Sequence, residues 1–123
     1  MGTRGRNGCP PQRFPDSVAV ITGAVDVVTD GVRTIRVANG HRMMGTVTGT
    51  GCMATAVIGA CAAVERDPVD AASAALAAYG LAGELAAKRS QGPGTFQVHL
   101  YDALAGLTED SLRTGVRISH GGV

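Results

Sequence analysis

Aromatic side chains are scarce in this chain of 123 residues. Phenylalanine, tyrosine and tryptophan together make up 3% of the residues, and tryptophan is missing altogether. Apolar residues of all kinds make up 45%, which is an ordinary share for a globular protein. The length suits one domain with a core of its own. Because alanine and glycine supply much of the bulk, we expect the elements to pack closely through small side chains.

Net charge and long apolar runs are also lacking. Eleven basic and ten acidic residues leave a formal net charge of +1, so no basic stripe indicates a nucleic-acid partner. No apolar run approaches the ~18 residues that a membrane span needs. The start of the chain lacks the apolar segment of a signal peptide. We therefore expect neither nucleic acid nor membrane as a partner.

Cysteine and histidine occur only three times each. The cysteines are odd in number and form no C-x-x-C pair, so a disulfide framework is not indicated and a reducing cytoplasm is the expected compartment. The histidines are scattered without the spacing of metal ligands, and we predict no metal site. These residues are Cys9, Cys52, Cys61, His41, His99 and His120.

The first 17 residues show no helical or strand period. They mix arginines with glycines and prolines, a composition typical of a loose, solvated segment. We therefore predict a disordered tail at residues 1–17 and a folded domain at residues 18–123.

Three short runs rich in β-branched residues predict strands. Residues 18–22 are mostly apolar and are followed by Gly23, a pattern typical of a fully buried strand in a parallel sheet. Residues 25–29 and 32–37 flank Asp30 and Gly31, which suit a tight hairpin turn. Neither face of this hairpin is cleanly apolar, so we expect it at a sheet edge.

A glycine-rich loop, Val-Thr-Gly-Thr-Gly-Cys at residues 47–52, precedes a long apolar run. Glycines let the backbone approach a ligand closely, and the first N–H groups of the helix that follows attract anions. We interpret the loop as a phosphate site, with Cys52 in or near the first helical turn as a base or nucleophile. The spacing matches neither a Walker loop nor a dinucleotide fingerprint. The alternative is a plain turn in which Thr48 or Thr50 caps the helix.

Helices are predicted after this loop. Residues 53–64 are apolar on nearly every side, which is typical of a buried helix. A second helix is predicted at residues 69–89, with Asp67 as its N-cap. Gly80 and Gly83 each cost that helix about 1 kcal/mol relative to alanine. We infer that another backbone passes close to that face.

A third helix is predicted at residues 95–107, with Thr95 as the candidate N-cap. Thr108 could cap a further short helix in the polar end of the chain. Apolar side chains recur along the third helix at helical spacing and predict one buried face. They are Phe96, Leu100, Ala103, Leu104 and Leu107.

Several motifs occur in a distinctive order along residues 18–107. Ile-Thr-Gly at 21–23 is followed by the hairpin, by Asn-Gly-His at 39–41 and by the glycine-rich loop. Asp-Pro, Tyr-Gly, Ala-Gly-Glu-Leu-Ala and Gly-Pro-Gly-Thr-Phe follow, starting at residues 67, 79, 82 and 92. This order resembles the C-terminal half of hydroxyethylthiazole kinase. The resemblance implies a ribokinase-like α/β fragment in which short β-strands with a hairpin precede three α-helices.

The resemblance also implies an activity and its residues. Family members use ATP and Mg²⁺ to phosphorylate the alcohol of 4-methyl-5-(2-hydroxyethyl)thiazole, in thiamine biosynthesis and salvage. Cys52 stands where most relatives of the fold have aspartate, and it would help to deprotonate or orient the substrate hydroxyl. Gly49 would contact the substrate, and threonines and backbone N–H groups would hold ATP. The residues assigned to ATP in this way are Thr22, Thr48, Thr50 and Gly51.

Much of the family pattern has no counterpart in this sequence. By resemblance, the preceding half would carry most of the sheet, the acidic residues that organise Mg²⁺ and much of the thiazole pocket. Residues 1–17 do not resemble the family, and a shifted reading frame could produce them. We therefore expect the chain alone to be weak or inactive as a kinase. The family also implies a homotrimer, which a fragment need not form.

Two other interpretations stay open. The chain could be a non-catalytic fragment, or a half-domain that pairs with a separate N-terminal partner. It could also belong to another ribokinase-like kinase that acts on a different alcohol.

Overall fold

The computed structural model describes residues 17–121, so the predicted tail lies outside the described residues except for Ser17. The described part is an α/β fold, as predicted. Its elements in chain order are β1 (Ala19–Ile21), β2 (Asp26–Thr29), β3 (Thr34–Val37), a 3₁₀ helix (Arg42–Thr46), α1 (Thr50–Ala62), α2 (Pro68–Arg89), α3 (Pro93–Ala105), α4 (Glu109–Gly115) and β4 (Ile118–His120).

The four strands form one antiparallel sheet in the order β1-β2-β3-β4. The predicted hairpin is β2–β3, in which Val28 lies opposite Ile35. Residues 30–33 connect the two strands. The Asp30 carboxylate accepts hydrogen bonds from the N–H groups of Val32 and Arg33, at 2.9 and 2.7 Å, and so stabilises this turn.

Two predictions about the sheet are wrong. β1 is not a buried parallel strand, because it is an antiparallel edge strand that leaves Ile21 62% exposed. The hairpin does not lie at an edge, because β2 and β3 are the two central strands. A further strand, β4, which has no pattern in the sequence that predicts it, forms the second edge beside β3.

α2 is the central helix of the fold, since it contacts α1, α3, α4 and the two central strands. The prediction that Asp67 is the N-cap of this helix is confirmed. The Asp67 side chain accepts hydrogen bonds from the N–H groups of Val69 and Asp70, at 2.9 and 3.0 Å. The sheet, α2 and α3 supply most of the core. Its buried side chains include Val28, Ile35, Val37, Val69, Leu76, Phe96 and Leu100.

Two glycines let α2 approach the segment that follows β3. A Cβ atom on Gly80 would lie 2.7 Å from the carbonyl carbon and oxygen of Asn39. The backbone inferred from the sequence is therefore confirmed at Gly80. At Gly83 the close neighbour is the Met44 side chain, whose Sδ would lie 2.5 Å from a Cβ. Small residues thus bring residues 39–44 against α2.

α3 begins two residues before its predicted start. Gly92 is the N-cap, so the prediction of Thr95 as N-cap is wrong. The Thr95 hydroxyl instead accepts hydrogen bonds from the N–H groups of Gln91 and Gly92, at 3.0 and 3.3 Å. The predicted buried face of α3 is confirmed, and Phe96 and Leu100 are its fully buried members.

α4 is the short helix that Thr108 was expected to cap. The Thr108 hydroxyl accepts a hydrogen bond from the Ser111 N–H at 3.1 Å, and the Ser111 hydroxyl accepts one from the Thr108 N–H at 2.9 Å. This reciprocal pair is a capping box. The prediction of Thr108 as N-cap is therefore confirmed.

α1 departs most from its prediction. It begins at Thr50, and within it only Ala54 is buried, so the prediction of a buried helix at residues 53–64 is wrong. Residues of α1, Val64 just after its end and one residue of α3 form an apolar groove on the surface, here called the α1 groove. The groove is lined by Met53, Ala56, Val57, Ala60, Cys61, Val64 and Leu104. None of the helices in residues 17–121 is long and apolar enough to cross a membrane.

Candidate functional site

A cleft of about 550 Å³ lies between the β1–β2 loop, the segment after β3 and the start of α1. α2 completes its lining with Leu76, Tyr79 and Gly80. The cleft therefore lies where the sheet, the start of α1 and the middle of α2 adjoin one another.

Three of the six predicted site residues belong to the lining of this cleft: Thr22, Thr50 and Gly51. The other three, Thr48, Gly49 and Cys52, adjoin the lining along the chain but are not part of it. Cys52 is exposed and occupies the first turn of α1, the location that the sequence predicts. Thr22 and the glycine-rich loop, which are far apart in sequence, are brought to one cleft.

The glycine-rich loop does not use a threonine as a helix cap. Gly49 is the N-cap of α1, with φ 93° and ψ 0°, a left-handed conformation that favours glycine. The Thr50 hydroxyl donates instead to the carbonyl oxygen of Met44, at 2.9 Å. The plain-cap alternative for Thr48 and Thr50 is therefore wrong.

The start of α1 leaves backbone donors for a ligand. The first N–H group to pair is that of Met53, which donates to the Gly49 carbonyl at 2.9 Å. The N–H groups of Thr50, Gly51 and Cys52 precede it and have no partner within the helix. Such groups bind anions, because they carry the partial positive charge of the helix N-terminus.

Tyr79 attaches the start of α1 to α2. Its hydroxyl donates to the carbonyl oxygen of Thr50 at 2.9 Å. Burial, with a smaller effect from the neighbouring Tyr101, raises the pKa of Tyr79, so the hydroxyl keeps its proton. The sequence singles out Tyr79 only as part of a motif and gives no sign of this contact.

Asp26 is the one carboxylate in the lining of the cleft. Its Oδ1 accepts a hydrogen bond from the Gly23 N–H at 3.0 Å and so shapes the loop that carries Thr22. Burial raises the pKa of Asp26 more than this hydrogen bond lowers it. Within residues 17–121, no three His, Cys, Asp or Glu side chains are grouped to hold a metal ion. These residues therefore do not form a Mg²⁺ cage of their own.

A hydrogen-bond network that the sequence analysis missed fixes the segment after β3. One carboxylate oxygen of Glu84 accepts from the Asn39 side-chain amide at 2.7 Å and from the Gly40 N–H at 3.4 Å. The other accepts from the Arg117 guanidinium at 2.6 Å. The Arg117 N–H donates to the buried Asn39 side chain at 2.7 Å. We call Asn39, Gly40, Glu84 and Arg117 the Glu84 network.

We expect the Glu84 network to weaken in acid. Burial disfavours the charged carboxylate, but hydrogen bonds from Asn39 and Arg117 outweigh it and lower the pKa of Glu84 from its ordinary value of 4.5. The charged form therefore stabilises the fold above that ordinary value, and the contribution is lost as pH falls through the lower, folded-state pKa. Urea unfolding midpoints measured between about pH 7 and about pH 3 test this.

The Glu84→Gln variant is the control for that experiment, because other carboxylates titrate over the same range. Its midpoint should lie below that of the unmodified chain at neutral pH, and the two should converge in acid. A constant difference at every pH would contradict the prediction.

Comparison of the sequence with models of protein families establishes the ancestry of the chain. The model described as the hydroxyethylthiazole kinase family matches residues 12–110. The chain belongs to the hydroxyethylthiazole kinase family. The match extends beyond both ends of the 18–107 stretch that the motifs cover. The expectation that residues 1–17 do not resemble the family is therefore wrong for residues 12–17.

Individual hydroxyethylthiazole kinases agree with this assignment. The one from Granulibacter bethesdensis is 61% identical over 105 residues, which cover 85% of this chain and 38% of the relative. The one from Desulfotalea psychrophila is 55% identical over 103 residues, which cover 84% of this chain and 38% of the relative. The solved hydroxyethylthiazole kinase structure from Pyrococcus horikoshii is 43% identical, with a TM-score of 0.84.

The chain spans about two-fifths of the length of these relatives. It covers 38% of each of the two sequences and 42% of the solved chain, of which it matches the C-terminal part. The ribokinase-like fold and the resemblance to the C-terminal half of hydroxyethylthiazole kinase are thereby confirmed.

Proposed function

We propose that this chain forms the phosphate-binding part of a hydroxyethylthiazole kinase, which transfers a phosphoryl group from ATP to the alcohol of 4-methyl-5-(2-hydroxyethyl)thiazole. The observation that carries the proposal is the cleft in which Thr22 meets the start of α1, in a chain of this family. The reaction would serve thiamine biosynthesis and salvage in the cytoplasm, and the complete domain would assemble as a homotrimer.

Phosphoryl transfer depends chiefly on positioning and on stabilising negative charge. The alcohol oxygen attacks the γ-phosphorus of ATP, the bond to the bridging oxygen breaks, and ADP leaves. The N–H groups of Thr50, Gly51 and Cys52 receive the phosphoryl oxygens, where the negative charge lies. Cys52, in its thiolate form, takes the proton of the alcohol on its sulfur as a general base and becomes the thiol.

The remaining residues position the two substrates. Thr22 binds ATP, and Asp26 holds the Gly23 N–H in the same loop. Thr48 lies near the phosphates, and Gly49 contacts the thiazole substrate. ATP enters as its Mg²⁺ complex, and we assign no step to the metal, since the cleft offers a single carboxylate among the described residues.

A polypeptide of these 123 residues should phosphorylate the thiazole alcohol weakly or not at all by itself. The relatives carry more than half of their length outside the matched part. Supplying the unmatched part of the Desulfotalea psychrophila kinase as a separate chain should restore ATP-dependent product, measured by mass spectrometry. Full activity of the 123-residue polypeptide alone would contradict this expectation, and a panel of alcohols with the restored complex tests the substrate.

The α1 groove favours a second candidate function, a non-catalytic half-domain. A helix that is apolar on nearly every side is normally buried on every side. An exposed apolar surface such as the α1 groove therefore indicates a site where another polypeptide binds. The occupant we propose is the part of the kinase domain that the relatives have beyond the matched region. A stable complex of the two chains that forms no product would favour this candidate over the kinase.

A further inference from the structure

One cation of the cleft has no role in the proposed function. Arg42 is the first residue of the 3₁₀ helix and belongs to the lining of the cleft. Its side chain is exposed, and no carboxylate within residues 17–121 forms an ion pair with it. An arginine in the lining of a cleft whose guanidinium has no carboxylate partner is free to bind an anionic ligand.

The segment that carries Arg42 is fixed on both sides. Before it, the Glu84 network holds Asn39 and Gly40, and the Asn39 backbone packs against Gly80. After it, the Met44 carbonyl accepts the hydrogen bond from the Thr50 hydroxyl, at 2.9 Å. Arg42 therefore starts from a backbone that is attached both to α2 and to the beginning of α1.

The neighbouring side chain adds to the donor character of this wall. His41 also lines the cleft, and its Nδ1 accepts a hydrogen bond from the Met43 N–H at 3.1 Å. The proton of the neutral ring is therefore on Nε2, which remains a donor. His41 and Arg42 together present donors, whereas Asp26 is the one carboxylate in the lining.

We propose that Arg42 binds the phosphate chain of the nucleotide as a direct ligand. The inference rests on the proposed function and extends it, because Arg42 is not among the residues that the proposed function assigns to ATP. The planar guanidinium matches two phosphate oxygens at once, which a lysine ammonium does not. The ligand class is a nucleoside triphosphate or diphosphate.

Calorimetric titration with ATP tests the proposal on the 123-residue chain. The dissociation constant should rise about tenfold or more in Arg42→Gln, since a charge-assisted hydrogen bond is lost, and less in Arg42→Lys. Arg66→Gln is the matched control, because Arg66 is exposed and lies outside the lining of the cleft. Adenosine, which has no phosphate, should bind all variants equally. Thermal unfolding verifies that each variant is folded.

The possible results separate this inference from the proposed function. Equal ATP affinity in the unmodified chain and Arg42→Gln would overturn the role of Arg42 and leave the nucleotide site in place. Binding of inorganic triphosphate that depends on Arg42, without binding of ATP, would support the anion site and contradict the kinase proposal. If neither ATP nor triphosphate bound, both would be overturned.

Discussion

Replacing Gly80 with alanine should lower the free energy of unfolding by about 2 kcal/mol or more, although alanine favours a helix over glycine by about 1 kcal/mol. The new Cβ would lie 2.7 Å from the carbonyl carbon and oxygen of Asn39 and 2.8 Å from its Cβ. These are backbone and near-backbone atoms, and the Glu84 network holds them in place. The clash therefore outweighs the gain in helix propensity. Urea unfolding measures the loss.

Gly59→Ala is the matched control, because a Cβ on this α1 residue meets nothing within 4 Å. It should leave stability unchanged or raise it by up to about 1 kcal/mol. Gly83→Ala should fall between the two, since the atoms it meets belong to the flexible side chain of Met44. Equal stabilities of the Gly80 and Gly59 variants would mean that the approach of α2 to Asn39 is not tight in solution.

The second large effect is expected at Cys52. In the restored two-chain kinase, Cys52→Ala should lower kcat by about 10²–10⁴-fold, the usual contribution of a general base. The affinity for ATP should stay nearly constant, because an alanine keeps the backbone N–H group and all three donors of residues 50–52 remain. Steady-state kinetics with the thiazole alcohol, together with ATP titration, separates the two quantities.

Cys52→Asp is the informative companion variant. A carboxylate at this position can accept the proton of the alcohol, so this variant should keep much more activity than Cys52→Ala. If both variants lost activity equally, Cys52 would act by its size at the helix start and not as a base. If both kept full activity, the catalytic role of Cys52 would be refuted.

Features that depend on neighbouring residues could be predicted from the sequence. Asp67 caps α2 and Thr108 caps α4 because each cap bonds to an N–H group two or three residues away. Gly80 could be recognised as a close approach because glycine inside a helix is a local anomaly. The identity of its partner, Asn39, could not be read from the sequence, since nothing local connects the two residues.

Features that depend on distant pairs were missed. β4 exists because it pairs with β3, and its three residues carry no strand pattern of their own. The exposure of α1 was missed because an apolar sequence shows that a helix has side chains suited to burial. It does not show whether another part of the protein covers them. In the cleft, Thr22 and the glycine-rich loop carry motifs, whereas Arg42 and Asp26 are single polar residues without distinctive spacing. Tyr79 belongs to a motif, but the motif does not reveal that its hydroxyl contacts Thr50.

The pairing of β4 with β3 also sets the order in which this domain can fold. The β2–β3 hairpin joins neighbouring residues, whereas the Arg117 N–H and the Asn39 side chain are 78 residues apart. Closing a loop of that length costs on the order of 4 kcal/mol of chain entropy, so this contact forms after the local elements. Asn39 and Gly40 therefore acquire their final conformation late. One wall of the cleft depends on contacts with residues near the end of the described chain, so we expect ligand binding to be coupled to this late step of folding.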